Sequence, residues 1–363
     1  MNCSRFPVIL AVCLVIITSM IAVSCSDDKS TQPEPAWSWA PLGSGMNNSV
    51  KAFAVFDNNL IAGGRFDVAG GEDANNIATW DGSSWSKLAS EANGTAYALT
   101  VFDNKLIAAG GILTAGGVSA IHIAAWDGLS WSALGDGLGT SGLGVVYALT
   151  VYDNKLIAAG LFTTSGSIST NYVAAWDGST WAPLGNGTGG YTYALCVYDN
   201  KLIAGGLFST AGGTSANNVA AWDGSTWTAL ESGVNSIVYA LTVFDNKLIA
   251  GGHFTTAGGA SADHVAAWDG STWAPLGNGV NDIVNALAVY DNKLFAGGEF
   301  TTAGGASANY VAVWDSLTWA PLGTGVDDIV DAFTVYDNKL IAGGEFTTAG
   351  GVTANFIAEW SLK

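Results

Sequence analysis

One unit recurs seven times along this 363-residue chain, so the residues able to do chemistry of their own are those at which the copies disagree. Three such positions stand out. The first opens an apolar run and reads Lys51, Tyr97, Tyr147, Tyr193, Tyr239, Asn285 and Asp331. The second follows a glycine pair and reads Arg65, Gly111, Leu161, Leu207, His253, Glu299 and Glu345. The third precedes a later apolar run and reads Asn76, His122, Tyr172, Asn218, His264, Tyr310 and Phe356. All three histidines of the chain fall in these series. Tyrosine faces cover the apolar side of a pyranose while amide and carboxylate groups bond its hydroxyls, so the set suits a glycan. It equally suits a protein partner. The plainer alternative is that the tyrosines fill half-buried edges with their hydroxyls in water.

Other chemistry finds less support. Glu299, Glu345, Asp327, Asp328 and Asp331 gather acid in the last two copies, as hard oxygen ligands for calcium would, yet no calcium-loop spacing accompanies them and a solvated acidic rim explains them. His253 and His264 share one copy, but a zinc site needs three or four ligands. Asp331 and Glu345 form a carboxylate pair of the kind glycoside hydrolysis uses. No nucleophile–base arrangement, dinucleotide motif or phosphate-cradling glycine loop is present, and the glycine pairs recur as architecture without opening a helix. A net charge of −18 repels a phosphate backbone, so nucleic acid is excluded as a partner. No cofactor is expected.

The elements that must position these residues follow from the repeat. The Tyr/Phe-Asp-Asn motif places Asp57, Asp103, Asp153, Asp199, Asp245, Asp291 and Asp337 at spacings of 46, 50, 46, 46, 46 and 46. Each unit holds four short β-like runs, such as Tyr239 to Phe244, Lys247 to Ala250, Val265 to Trp268 and Thr272 to Leu276. Asp245-Asn246 and Asp269-Gly270-Ser271 between them are tight-hairpin chemistry. Every unit pairs a tryptophan ending its third run with one early in its fourth, from Trp80/Trp85 to Trp314/Trp319. Trp360 lacks a later partner and Trp39 an earlier one. A ring closed by the N-terminal strand completing the last unit repairs both. The expected fold is all-β: a seven-bladed β-propeller of four-stranded antiparallel blades, with the tight turns on one face and the long loops, bearing the variable positions, on the other.

A hydrophobic strand ending in a glycine pair, then an aromatic-Asp pair with Trp five residues after the aromatic, resembles the kelch-type propeller related to the central domain of galactose oxidase. The pairs stand at Gly63-Gly64, Gly205-Gly206, Gly251-Gly252, Gly297-Gly298 and Gly343-Gly344, with Ala109-Gly110 and Ala159-Gly160 in two units. The aromatic here is Trp where kelch units more often carry Tyr. The oxidase chemistry implied by that relative needs a copper site and a thioether-linked tyrosine; Cys196, the one cysteine beyond the N-terminal segment, lies inside an apolar run as a small core residue. A sialidase-like propeller would need an arginine cluster, and Arg65 is the only arginine after Arg5.

The chain opens with Arg5 and the uncharged run from Phe6 to Val23, an export signal. Ala22-Val23-Ser24-Cys25 resembles a bacterial lipobox, with Ala22 where Leu is preferred. Residues 1–24 are expected to be a signal peptide, residues 25–36 a lipidated Cys25 with a flexible tether, and residues 37–363 the propeller; a retained membrane anchor is the alternative. Ser26 lacks the retention signal of inner-membrane lipoproteins, which points to the outer membrane or cell surface. The expected protein is a monomeric, lipid-anchored, non-catalytic binding or scaffolding module for a surface glycan or protein. Carbohydrate hydrolysis by a carboxylate pair and a purely structural envelope role are the alternatives.

Overall fold

The computed structural model describes residues 36–88, 92–140 and 142–362, and residues from Trp37 onward form one compact unit. The expected signal peptide, Cys25 and most of the tether lie outside the described residues. Seven four-stranded antiparallel sheets make up the unit, each running first, second, third, fourth strand from the inside outwards. Blade 5 is typical, with strands Val238–Phe244, Lys247–Gly252, Val265–Trp268 and Trp273–Pro275. In blade 7 the strands Val330–Tyr336, Lys339–Gly344 and Ile357–Leu362 are completed on the outside by Trp37–Pro41. Trp39 pairs with Trp360 there as Trp273 pairs with Trp268 in blade 5.

Local chemistry explains each blade. Second strands are buried on both faces, as in Leu248 to Gly252, because blades stack face to face. The first hairpin turns on two residues with positive φ, Asp245 at 48° and Asn246 at 57°, a backbone that Asp and Asn tolerate and that matches strand twist. The outer hairpin is held by Asp269, whose Oδ1 accepts from Ser271 N at 2.8 Å and Thr272 N at 2.7 Å. Those bonds favour the carboxylate, and the equivalent Asp81 is lowered to about 2 by the same turn contacts.

Blades are latched to one another by indole N–H groups. Trp273 Nε1 donates to Leu230 O at 3.1 Å and Trp227 Nε1 to Leu184 O at 2.8 Å, each bonding a carbonyl at the end of the preceding blade. Trp39 Nε1 donates to Leu322 O at 3.1 Å, so the N-terminal strand takes over the latch of blade 7. At the tight-turn face Tyr290 donates to Asn338 O at 2.5 Å, and Tyr336 donates to Asn58 O at 3.1 Å, closing blade 7 onto blade 1.

The second-to-third connection, a long loop by its sequence, is a small hairpin in the structure. In blade 5 Thr256–Ala257 pairs with Ala260–Ser261 across Gly258 and Gly259, both at positive φ. Asn235 Oδ1, from the preceding connection, accepts from Thr255 N at 2.8 Å and Thr256 N at 3.0 Å, tying the two long segments together.

Candidate ligand-binding mouth

The first variable position is a bulge in every blade. Val238 pairs with Gly252 and Ala240 with Gly251, so Tyr239 between them has no partner across the ladder. The same irregularity leaves Lys51, Tyr97, Tyr147, Tyr193, Asn285 and Asp331 as extra residues in their strands. A bulge re-aims a side chain without altering the flanking pleat. The second glycine of each pair permits it: a Cβ on Gly252 would lie 2.0 Å from Ile237 O, and one on Gly298 2.0 Å from Ile283 O. The first glycine is less constrained, since a Cβ on Gly251 would meet the Val284 side chain, and Ala109 and Ala159 occupy that position in blades 2 and 3.

These seven side chains line one depression of about 370 Å³ at the end of the central channel, together with Glu299, Glu345 and Ile329. Tyrosines fill the arc from blade 2 to blade 5. Ring centroids are 5.5 Å apart for Tyr97–Tyr147, 5.0 Å for Tyr147–Tyr193 and 5.3 Å for Tyr193–Tyr239, with interplanar angles of 63°, 46° and 52°. The rings are tilted against one another, so neighbouring faces do not merge into a flat platform. Burial, reinforced by its neighbours Tyr147, Tyr239 and Tyr191, pushes the Tyr193 hydroxyl up to about 12, which keeps it a protonated donor at neutral pH.

Blades 6, 7 and 1 complete the mouth with charge. Lys51 Nζ lies 2.6 Å from Asp331 Oδ2 and 2.9 Å from Glu345 Oε1, bridging blades 1 and 7. Burial works to lower the Lys51 pKa, but the two carboxylates outweigh it and the net direction is upward. Asp331 is raised to about 6: burial raises it, Lys51 pulls it down, and Glu345 and Glu299 add repulsion. Glu299 is half-buried, and its charge helps burial raise the Tyr239 hydroxyl. Among the described residues no cation forms a salt bridge to it.

The other sequence candidates fall into two groups. Arg65 and His253 are exposed beside the mouth, and Arg65 Nη2 donates to Tyr97 Oη at 3.5 Å. The third series does not line the mouth. Its residues all adopt positive φ, from Tyr310 at 62° to Asn76 at 72°, and the polar side chains of Asn76, His122 and Asn218 bond the connection leaving their own blade. Asn218 Nδ2 donates to Val234 O at 2.8 Å, and His122 Nε2 donates to Thr140 O at 3.0 Å. His264, also buried, places Nδ1 3.2 Å from Gly252 O and stacks on His253 with centroids 6.1 Å apart. Tyr310 packs into the core shared by blades 6 and 7. Tyr172 meets Tyr191 at 5.8 Å, and Tyr191 in turn meets Tyr193 at 6.5 Å.

Two contributors are not among the three variable series. Tyr191 is exposed and extends the arc; it varies against Ser49, Thr95, Val145 and isoleucine in the other units, a signal that the repeats do carry. Ile329 occupies the same position in blade 7, where it repeats the Ile237 and Ile283 of blades 5 and 6. Of the acids considered as calcium donors, Asp327 is committed to the fold, accepting from Thr347 N and Thr348 N at 2.8 Å each. Asp328 accepts from Ile329 N at 2.8 Å. Cys196 is half-buried rather than fully enclosed, and burial pushes its thiol up to about 11.

Residues 25–194 match the family described as the Rax2 C-terminal beta propeller domain, and residues 337–359 match a beta-propeller domain of unknown function, DUF5122. Among solved structures the chain is similar to the WD40 beta propeller domain of Doa1, at 14% identity and a TM-score of 0.58, covering 90% of this chain and 97% of that one. The computationally designed Ika8 protein aligns at 21% identity and a TM-score of 0.51, over 87% of this chain and 97% of that one. The extracellular domain of a hybrid two-component system, BT4673 from B. thetaiotaomicron, aligns at 12% identity and a TM-score of 0.57; 90% of this chain matches 39% of that one. No curated protein matches. At these identities the likeness establishes the fold: the chain is a β-propeller.

Proposed function

We propose that this protein is a non-catalytic binding or scaffolding module whose ligand, a surface glycan or protein, docks at the mouth of the central channel. One observation carries the reading: side chains vary at seven bulge positions that converge on a single depression, while the surrounding architecture repeats. Binding residues concentrate where a rigid scaffold presents variable positions. Asp331 and Glu345, the pair suited to hydrolysis, are both bonded to Lys51, which favours binding over catalysis. The kelch-type repeat chemistry, export, lipidation at Cys25 and an outer-membrane or cell-surface location belong to the same reading, on the sequence features given above.

A thermal-shift screen of wild type against neutral oligosaccharides, amino sugars and peptides tests it. A ligand at a hundred times its Kd stabilises by about 2.7 kcal/mol. The expected shift appears in wild type and is lost in the Tyr193→Ala/Tyr239→Ala double variant. An equal shift in that variant places the ligand elsewhere and overturns the reading.

A further inference from the structure

The composition of the mouth is specific about charge. Lys51 is the one cation lining the depression, against the three carboxylates of Asp331, Glu345 and Glu299. It is held at 2.6 Å and 2.9 Å by the first two, leaving Glu299 without a cation among the described residues. Glu299 stands next to the end of the aromatic arc, close enough for its charge to act on the Tyr239 hydroxyl, with Asn285 on the same blade supplying an amide oxygen. An unpaired carboxylate, a carbonyl oxygen and electron-rich rings around one opening form the acceptor set that a donor-bearing cation requires. Anionic ligands are opposed by the mouth and by the chain's net charge of −18, which draws cations inwards. Adjacent rings are tilted against one another by 46° to 63°, so a pyranose could stack on one of them at a time and not across the arc.

We propose that the mouth takes a lysine or arginine side chain presented by a protein partner, with Glu299 as its counter-ion and the Tyr239 end of the arc as its wall. This rests on the mouth being the ligand site. Along the ring, blade 7 with Asp331 and Glu345 separates Glu299 from Lys51, whose own ammonium is occupied there, so host and guest charges do not compete for the same carboxylate. A lysine or arginine chain is also slender enough to enter along the channel axis while the partner's backbone stays outside.

The test titrates the full chain by calorimetry with heptapeptides of glycine and serine carrying a central Lys, Arg, norleucine or Glu, alongside glucosamine and N-acetylglucosamine. Lys and Arg peptides are expected to bind, more weakly as salt rises, with norleucine and Glu peptides at least about tenfold weaker. Glu299→Gln should lose about tenfold for the Lys peptide without a lower melting temperature, since among the described residues no salt bridge depends on that carboxylate and its loss relieves repulsion on Asp331. Norleucine binding as well as Lys, or full Lys affinity in Glu299→Gln, overturns the inference. Binding of glucosamine through Glu299 with no peptide bound overturns the choice of a protein partner. Neutral sugar bound by wild type and lost in Tyr193→Ala/Tyr239→Ala would sink the cation while sparing the mouth. Lys-peptide binding that survives the tyrosine double variant would sink the mouth itself.

Discussion

Tyr239 and Gly252 define one another: Tyr239 can stand outside the ladder because Gly252 has no Cβ to strike Ile237 O, which would lie 2.0 Å away. The second glycine, present in every blade, is thus the device that turns one residue per blade into the mouth. The two glycines of a pair should therefore respond differently to substitution. Gly251→Ala, a change already present as Ala109 and Ala159, should cost about 1 kcal/mol, as the Val284 side chain shifts. Gly252→Ala should cost about 3 kcal/mol or more, because only backbone can yield. Urea unfolding of the two variants checks the ordering, and equal costs would contradict the bulge account.

The ion pair across the ring seam should show its partner's titration. Lys51→Met leaves Asp331 partly buried without its cation, and a destabilisation of about 1–3 kcal/mol is expected at pH 7.5. At pH 5 most of Asp331 holds a proton and the loss should shrink. Denaturant melts at the two pH values decide; a cost independent of pH would remove Asp331 as the relevant partner.

Asp331 also gives a sign to the pH dependence of wild type. Its pKa is about 6 folded against 3.8 for the free side chain, so between those values the native state binds more protons than the unfolded one. Its contribution to stability is complete below about pH 4 and is lost as pH rises through 6. Asp331→Asn removes a differential of about 2–3 kcal/mol, so its stability relative to wild type should rise between pH 4 and pH 7. Paired melts across that range measure it, and parallel curves would show that burial does not raise Asp331.

Closure rests on Trp39. Trp39→Phe keeps the ring in the core and deletes the N–H that bonds Leu322 O, for an expected cost of about 1–2 kcal/mol. Trp273→Phe, which loses the bond to Leu230 O, should cost a similar amount. A negligible effect of Trp39→Phe beside a clear effect of Trp273→Phe would mean that blade 7 does not depend on its borrowed strand.

The architecture is largely legible in the chain because the repeat prints it many times over. Trp39 and Trp360, each missing a partner in sequence, are enough to locate the closing strand. The first variable series converges as expected, because a position fixed relative to one strand is fixed relative to the ring axis. The third series misleads for a physical reason: at positive φ His122 and Asn218 bond the connections leaving their blades and His264 bonds Gly252 O within its own, so variation there reflects differing structural contacts. Nor does a sequence announce a bulge; the ladder slip at Tyr239 emerges only once Val238 and Ala240 are seen to pair with successive glycines.

The most direct test of the mouth as the docking site uses two tyrosines of one strand, Tyr147 at the mouth and Tyr152 at the tight-turn end, within Val145–Tyr152. Each is replaced in turn by the photo-crosslinker benzoylphenylalanine in the full chain, and crosslinks are read on the intact cell. The account predicts a discrete crosslinked species from position 147 and none from position 152. The same species from 152 alone, or equally from both, would contradict it.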